Sequence, residues 1–342
     1  MQIFIVLFSV IFSLPVLGDV PKRKMATIYS YPKGEWYNGI QSGLIATLDS
    51  FQKGKFEIHD FLYDYETLKL KPKKVQQEEV NKIVKAINDL KVEYVIINDD
   101  EAVEKFIDKF PQVSSVILNA INQSPLQSTW GKGRDISKFC GIIEHYPIEE
   151  SLKMISLMVK NVKQMSVVSS EGDSSKIVSN IFKEMQKKDN SAIKIREIYL
   201  KSSWSDWKRA FHEINKKDQL AWILVPYEVM DEKNKPVPLA DMTTWIKANV
   251  RVPLLGILSI HTKMGFLSAI SVDAYGLGKQ AAEKVIQIEK GEKCSQVGFS
   301  KSKYHIFEVN TDEVERLGMK VPEQFIGVAK FIKSTDPKSL KR

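Results

Sequence analysis

The sequence predicts an α/β protein of two lobes, each with a parallel sheet, and a cleft between them. Three observations predict it. The chain has 342 residues, more than one compact core usually holds. Short buried β runs alternate with amphipathic helices, the pattern of βαβ units and of sheets covered on both faces. Finally, a buried strand, Phe266 to Val272, and an amphipathic helix with Leu277, Ala281, Val285 and Ile288 on one face come late in the chain. This strand is expected to return to the sheet begun at the N-terminus, beside the opening strand, so the chain crosses between lobes more than once.

In order, Met25 to Ser30 reads as the first strand, and Tyr37, Ile40, Leu44, Leu48 and Phe51 mark the helix after it. Lys55 to Tyr63 is the second strand. A Lys-rich connection leads to a helix with Val80, Ile83, Val84, Ile87 and Leu90 inward. Val92 to Ile97 is a buried strand ending in Asn98-Asp99-Asp100, and Ser114 to Leu118 is another ending in Asn119. Lys138 to Glu144 is a β segment without helical pattern and is taken as the first crossing. The alternation then restarts. Strands are expected at Met165 to Ser170, Ile193 to Leu200, Leu220 to Val225 and Val252 to Leu258. Helices are expected at Ser174 to Lys187, Trp204 to Asn215 and Pro238 to Ala248. A strand, Tyr304 to Val309, and a helix, Thr311 to Leu317, follow the late pair. Trp204, Trp207 and Trp222 fall on core positions.

The ends and the charge narrow the class. Ile3 to Leu17 is a continuous apolar run closed by small residues and followed by Lys22-Arg23-Lys24. It is short for a membrane span and fits a secretory signal over residues 1–18, with an uncleaved anchor as the alternative. Export makes Cys140 and Cys294 candidates for a disulfide, against two buried free thiols. Composition is 43% hydrophobic and 27% charged, that of an ordinary folded protein. The net charge of +8 is spread along every helix rather than gathered in one patch, which argues against nucleic-acid binding.

Catalytic signatures are mostly missing. There is no His-Glu-x-x-His and no Gly-x-Ser-x-Gly, and His59, His145, His212, His261 and His305 are dispersed. Gly34-x-x-x-x-Gly39 lacks the Lys-Ser of a phosphate loop. Gly276-x-Gly278-x-x-Ala281 matches a dinucleotide fingerprint, but it comes where little chain remains to build a sheet. The alternative is a glycine-rich start to a closely packed helix. No cofactor and no metal are expected.

The run Ser271-Val-Asp273-Ala-Tyr275-Gly-Leu-Gly278-Lys-Gln-Ala281-Ala282, then Gly291-Glu, Val309-Asn310 and Leu317-Gly318-Met-Lys-Val321-Pro322, resembles the end of the substrate-binding proteins of bacterial ABC transporters. The subfamily is the one that includes tryptophan-binding members. Gly39-Ile-Gln-Ser-Gly43-Leu44 and Phe139-Cys-Gly141-Ile-Ile agree with its N-terminal half. The chain departs after Asn119, where it reads Ile121-Asn-Gln-Ser-Pro125 and the family tends to carry Asp-Pro. The resemblance implies a periplasmic type I binding-protein fold, two Rossmann-like lobes joined by three hinge crossings. Residues 19–140 plus 265–297 would form the N-terminal lobe, 141–264 plus 298–330 the C-terminal lobe, and 331–342 a basic tail. It also implies an exported, monomeric, non-enzymatic protein, periplasmic or secreted, that passes a small molecule to an ABC permease. A periplasmic subunit serving a sensor kinase and a cleft enzyme are the competing readings.

In open α/β sheets ligands bind beyond the carboxyl ends of strands. That rule selects Ser30, Tyr31 and Trp36, then Asn98, Asp99 and Asp100, then Asn119 and Ala120 in the first lobe. In the second it selects Ser169, Ser170 and Glu171, then Pro226 and Tyr227. Asp273 sits at the expected second crossing. The aromatics suit a flat ligand or a core edge, and the Asn98–Asp100 trio suits an amine or a helix cap. An amino acid, its ammonium paired with Asp99, Asp100, Glu171 or Asp273, is the expected ligand.

Overall fold

The computed structural model describes residues 22–340, apart from 126, 129, 188–192 and 228. The elements of the first half are β1 (Arg23–Tyr29), α1 (Glu35–Gln52), β2 (Phe56–Leu62), α2 (Tyr65–Leu68), α3 (Lys73–Leu90), β3 (Tyr94–Asn98), α4 (Asp100–Phe106), β4 (Ser115–Ile121) and β5 (Phe139–Ile143). Next come α5 (Ile148–Met158), β6 (Gln164–Ser169), α6 (Asp173–Lys187), β7 (Lys194–Leu200), α7 (Trp204–Lys217), β8 (Leu220–Ile223), α8 (Leu239–Asn249), β9 (Leu254–Gly256), α9 (Ser259–Lys263) and β10 (Ser268–Val272). The chain ends with α10 (Ala274–Glu289), α11 (Cys294–Val297), β11 (Phe299–Lys301), β12 (His305–Asn310), α12 (Thr311–Arg316) and β13 (Lys330–Ile332).

These strands form two sheets. The first has the order β11-β5-β4-β3-β1-β2, and every pair in it is parallel. The second has the order β13-β12-β10-β9-β8-β6-β7, parallel except where β12 runs against β10. Each therefore contains the same doubly wound unit. In the first sheet strand order reverses between β1 and β3, and in the second between β6 and β8. The crevice beyond the carboxyl ends at such a reversal is where these sheets take ligands.

Apolar periodicity explains the layers. α1 buries Tyr37, Ile40, Leu44 and Leu48, and α3 buries Val80, Ile83 and Ile87, while their charged faces stay in water. β3, β4 and β10 are buried at every position, as strands covered on both faces must be. Trp207 and Trp222 are core residues of two separate clusters, and Trp204 packs against that of Trp207.

Three crossings join the lobes side by side. They follow β5, β10 and β11. Ser302 N donates to Ile143 O at 2.7 Å, His145 N to Ser302 Oγ at 2.8 Å, and Asp273 N to Tyr304 O at 3.1 Å. Buried Gln280 on α10 holds the third crossing from both sides, donating to Lys301 O at 3.2 Å and accepting from Lys303 N at 2.8 Å. Cys140 on β5 is bonded to Cys294 on α11, with Cα atoms 5.1 Å apart.

The late strand is not where the sequence placed it. β10 lies in the second sheet, pairing Ser268 with Leu255 and with Val309, and not beside β1. Phe266 and Leu267 fill second-lobe cores. The chain returns to the first lobe only at Asp273, and α10, rather than a strand, makes the return by packing on α1. A buried apolar strand reads alike in either sheet, so composition carried no information on the choice. The other boundaries move less. β5 belongs wholly to the first sheet, so the first crossing follows Ile143. β11 keeps 299–301 in that sheet, so the third follows Lys301. The 331–340 segment is not a free tail: β13 pairs with β12, Thr335 N bonds Lys263 O at 2.9 Å, and Leu340 packs on a second-lobe core. The expected signal segment lies outside the described residues.

In the dinucleotide-like run, Gly278 meets another helix. A Cβ on Gly278 would stand 1.9 Å from Ile40 O, and one on Gly43 would stand 2.0 Å from Tyr275 O. Gly276 faces the Tyr304 side chain. These small residues let α1 and α10 touch backbone to backbone, and no phosphate cradle remains among them.

Candidate functional site

The first-lobe reversal point is pinned by buried polar residues. Ser30 Oγ donates to Asn98 O at 3.1 Å and accepts from Ala102 N at 3.0 Å. Asn98 Nδ2 reaches across to Ile28 O at 2.9 Å, and Asn119 Nδ2 donates to Asn98 Oδ1 at 2.9 Å. Ser30, Asn98 and Asn119 thus tie β1, β3 and β4 together at their ends. Asp99 and Ala120, the residues just after or within those ends, have φ of 69° and 56°. A left-handed conformation is uncommon outside glycine, and here it turns the chain sharply out of each strand.

Beyond this floor lies a group of carboxylates framed by rings. Asp99 Oδ1 accepts the Trp36 indole N–H at 2.9 Å. Asp100 accepts Asn122 N and Nδ2, both at 2.8 Å, and the Trp130 indole N–H at 3.2 Å. Tyr31 donates to Glu101. Tyr146 donates to Glu144 at 2.5 Å, just beyond β5, and packs against the cores of both lobes. Asp99 is only 6% exposed, and its Oδ2 has no hydrogen-bond partner.

Burial raises the pKa of all four acids. It holds Asp99 well above the usual carboxylate range, reinforced by Glu101, Glu144 and Asp100, with only the Trp36 bond opposing it. Glu144 is pushed up to about 8 by burial, with the charges of Asp100 and Glu101 adding to it and the Tyr146 bond opposing. Asp100 and Glu101 are raised for the same first reason. Desolvation without a compensating cation is the condition under which a carboxyl keeps its proton near neutrality.

The second-lobe reversal point is built alike but less acidic. Ser169 Oγ accepts from Val225 N at 3.2 Å, and Ser170 Oγ shares a hydrogen bond with Ser175 at 2.9 Å. Glu171 accepts from Ser202 at 2.6 Å. Pro226 is buried, and half-buried Tyr227 packs against the core around Trp207. Lys263 on α9 reaches Glu35 at the start of α1, 2.6 Å away, bridging the lobes at their rim. Both partners are solvent-accessible, so the pair contributes at most about 1 kcal/mol and is cheap to break in a hinge motion.

A profile of the ABC transporter substrate-binding proteins matches residues 33–333, nearly the whole chain described. The chain belongs to that family. Family members bind solutes, are not enzymes, and associate with ABC transporters, typically outside the cytoplasm. Solved structures share the fold. The ligand-free, open structure of CD0873, a substrate-binding protein with adhesive properties from Clostridium difficile, has a TM-score of 0.71 at 14% identity and covers 92% of this chain and 100% of its own. An ABC domain from Streptococcus pneumonia in complex with L-Trp has a TM-score of 0.62 at 16% identity, covering 91% and 99%. GanP, a glucose-galactose binding protein from Geobacillus stearothermophilus, has 0.52 at 10%, covering 84% and 97%. No curated protein matches.

For a substrate-binding protein, the sequence picked residues of two kinds. Tyr31, Trp36, Asp99 and Asp100 come together in the acidic cluster. Ser30, Asn98, Asn119, Ser169 and Ser170 are spent on holding strand ends. Asp273 stands apart as the N-cap of α10, accepting Tyr275 N at 3.0 Å. Glu101, Asn122, Trp130, Glu144 and Tyr146 escaped sequence reasoning. Glu144 and Tyr146 obey the strand-end rule, but β5 read as a crossing rather than a sheet member. Trp130 lies in the long connection after β4, where nothing local points inward.

Proposed function

We propose that this chain is the receptor subunit of an ABC importer, located in the periplasm or secreted, that captures an amino acid or similar small molecule between its lobes. One observation carries the reading. Two reversal points, each ending in polar side chains, are connected by three adjacent crossings, the geometry of a hinge. A ligand touching both lobes makes all its contacts only when they are shut, so it shifts the population toward closure. The closed form then docks on a permease. Trp36 and Tyr31 beside the pocket, with the L-Trp held by the pneumococcal relative, support a ligand with a flat body. The expected result of a thermal-shift screen of amino acids, nucleobases and sugars is a rise in melting temperature with one class and no turnover. A screen with no rise in any class would refute the proposal.

A further inference from the structure

Six hydrogen-bond donors around the first-lobe acids are already engaged. The Trp36 and Trp130 indoles, Asn122 N and Nδ2, and the hydroxyls of Tyr31 and Tyr146 each point at a carboxylate. Acceptor capacity remains among them. Asp99 Oδ2 has no donor, and neither has Asn119 Oδ1, in a fully buried side chain on the neighbouring strand. A buried acceptor without a donor costs about 1–3 kcal/mol, and more when charged. The charges acting on Asp99 and Glu144 are those of other acids alone, with no Lys or Arg among them. A cluster of this kind disfavours an anionic ligand. Among the described residues no three His, Cys, Asp or Glu side chains converge tightly enough to hold a metal ion.

We propose that the first lobe binds an organic cation, a protonated amine or guanidine, between Asp99, Asp100, Glu101 and Glu144, with Trp36 and Tyr146 among its walls. The cationic head is the main recognition element, and a carboxylate on the ligand is not required. This rests on the solute-binding reading and narrows its ligand to amines in preference to zwitterionic amino acids. An ammonium supplies donors for the empty acceptors. Its arrival favours the ionised acids, so protons leave the cluster as it binds.

The test is thermal shift and calorimetry on the purified protein with matched probes: tryptamine, tryptophan and indole-3-propionate, then cadaverine and lysine. At least one amine should bind more tightly than its carboxylate-bearing counterpart, and indole-3-propionate should not bind. Amine affinity should rise with pH below 8, by up to about tenfold per unit for each proton released. Asp99→Asn keeps an acceptor for Trp36 and should weaken amine binding about ten- to a hundredfold without lowering the ligand-free melting temperature. Glu144→Gln should flatten the pH dependence. Tryptophan and lysine both binding more tightly than their amines would overturn the cation assignment and leave the solute-binding reading intact, as would stabilisation by a sugar or an anion alone. No stabilisation by any probe of any class would remove both.

Discussion

Gly278→Ala tests the helix contact on which the return to the first lobe depends. The added Cβ would stand 1.9 Å from Ile40 O and 2.8 Å from Leu44 N, both backbone atoms that cannot swing aside. Ordinary contact begins at 3.4 Å, so α1 and α10 must separate by about 1.5 Å. The side chains between them, Tyr37, Ile40, Leu44 and Leu48 on one helix and Leu277, Ala281 and Val285 on the other, are at most 3% exposed. A gap of 0.5–1 Å already forfeits about a quarter to a half of each contact's dispersion energy. Overpacking of this kind costs roughly 2–3 kcal/mol, and alanine's better helix propensity returns only about 1 kcal/mol. The net loss is therefore about 1–2 kcal/mol. Urea unfolding followed by tryptophan fluorescence should show a lower midpoint at unchanged slope. A variant as stable as the parent, or more so, would mean that the helices do not cross at this glycine.

Other predictions concern the cap, the disulfide and the acids. Asp273→Ala removes the acceptor for Tyr275 N and should cost about 1 kcal/mol, while weakened solute affinity would place the residue in the site as well. Unchanged stability would contradict the cap, and unchanged affinity would take Asp273 out of the binding surface. Replacing Cys140 and Cys294 by Ala opens a loop with a sequence separation of 154 and should cost about 3–5 kcal/mol in a chemical melt. A loss under about 1 kcal/mol would show that the cross-link does not constrain the unfolded chain. Glu144 keeps its proton up to about pH 8 when folded, against an ordinary value of 4.5 when unfolded. Between those values the folded state holds more protons than the unfolded, so ligand-free stability should fall as pH rises from about 5 to 8. Glu144→Gln should lessen that fall, and an equal slope in both proteins would assign it elsewhere.

Much of the fold was legible because each strand is a buried run and each helix a periodic one. The polar strand ends could be named in advance because a buried strand must end somewhere polar, as at Asn98-Asp99-Asp100 and Ser169-Ser170-Glu171. What local pattern does not encode is partnership. β10 reads as a core strand whichever sheet receives it. Gly43 and Gly278, far apart in sequence, are two halves of one contact that only the tertiary structure displays. α5 went unread, although Ile148, Leu152 and Ile155 fall at helical spacing, because the β segment before it had already been spent on a crossing. The acidic cluster was half seen for a related reason. Glu101 beside Asp100 reads as an acidic first turn of a helix, a common feature that needs no ligand. Its meaning changes only when Glu144, from the end of β5 two strands away in the same sheet, is brought beside it.

Small-angle X-ray scattering, on the purified protein alone and with the probe that stabilises it most, measures directly whether the two sheets move as separate bodies about the crossings after Ile143, Val272 and Lys301. Closure predicts a smaller radius of gyration with the probe bound. Identical scattering curves at saturating probe would contradict capture between lobes.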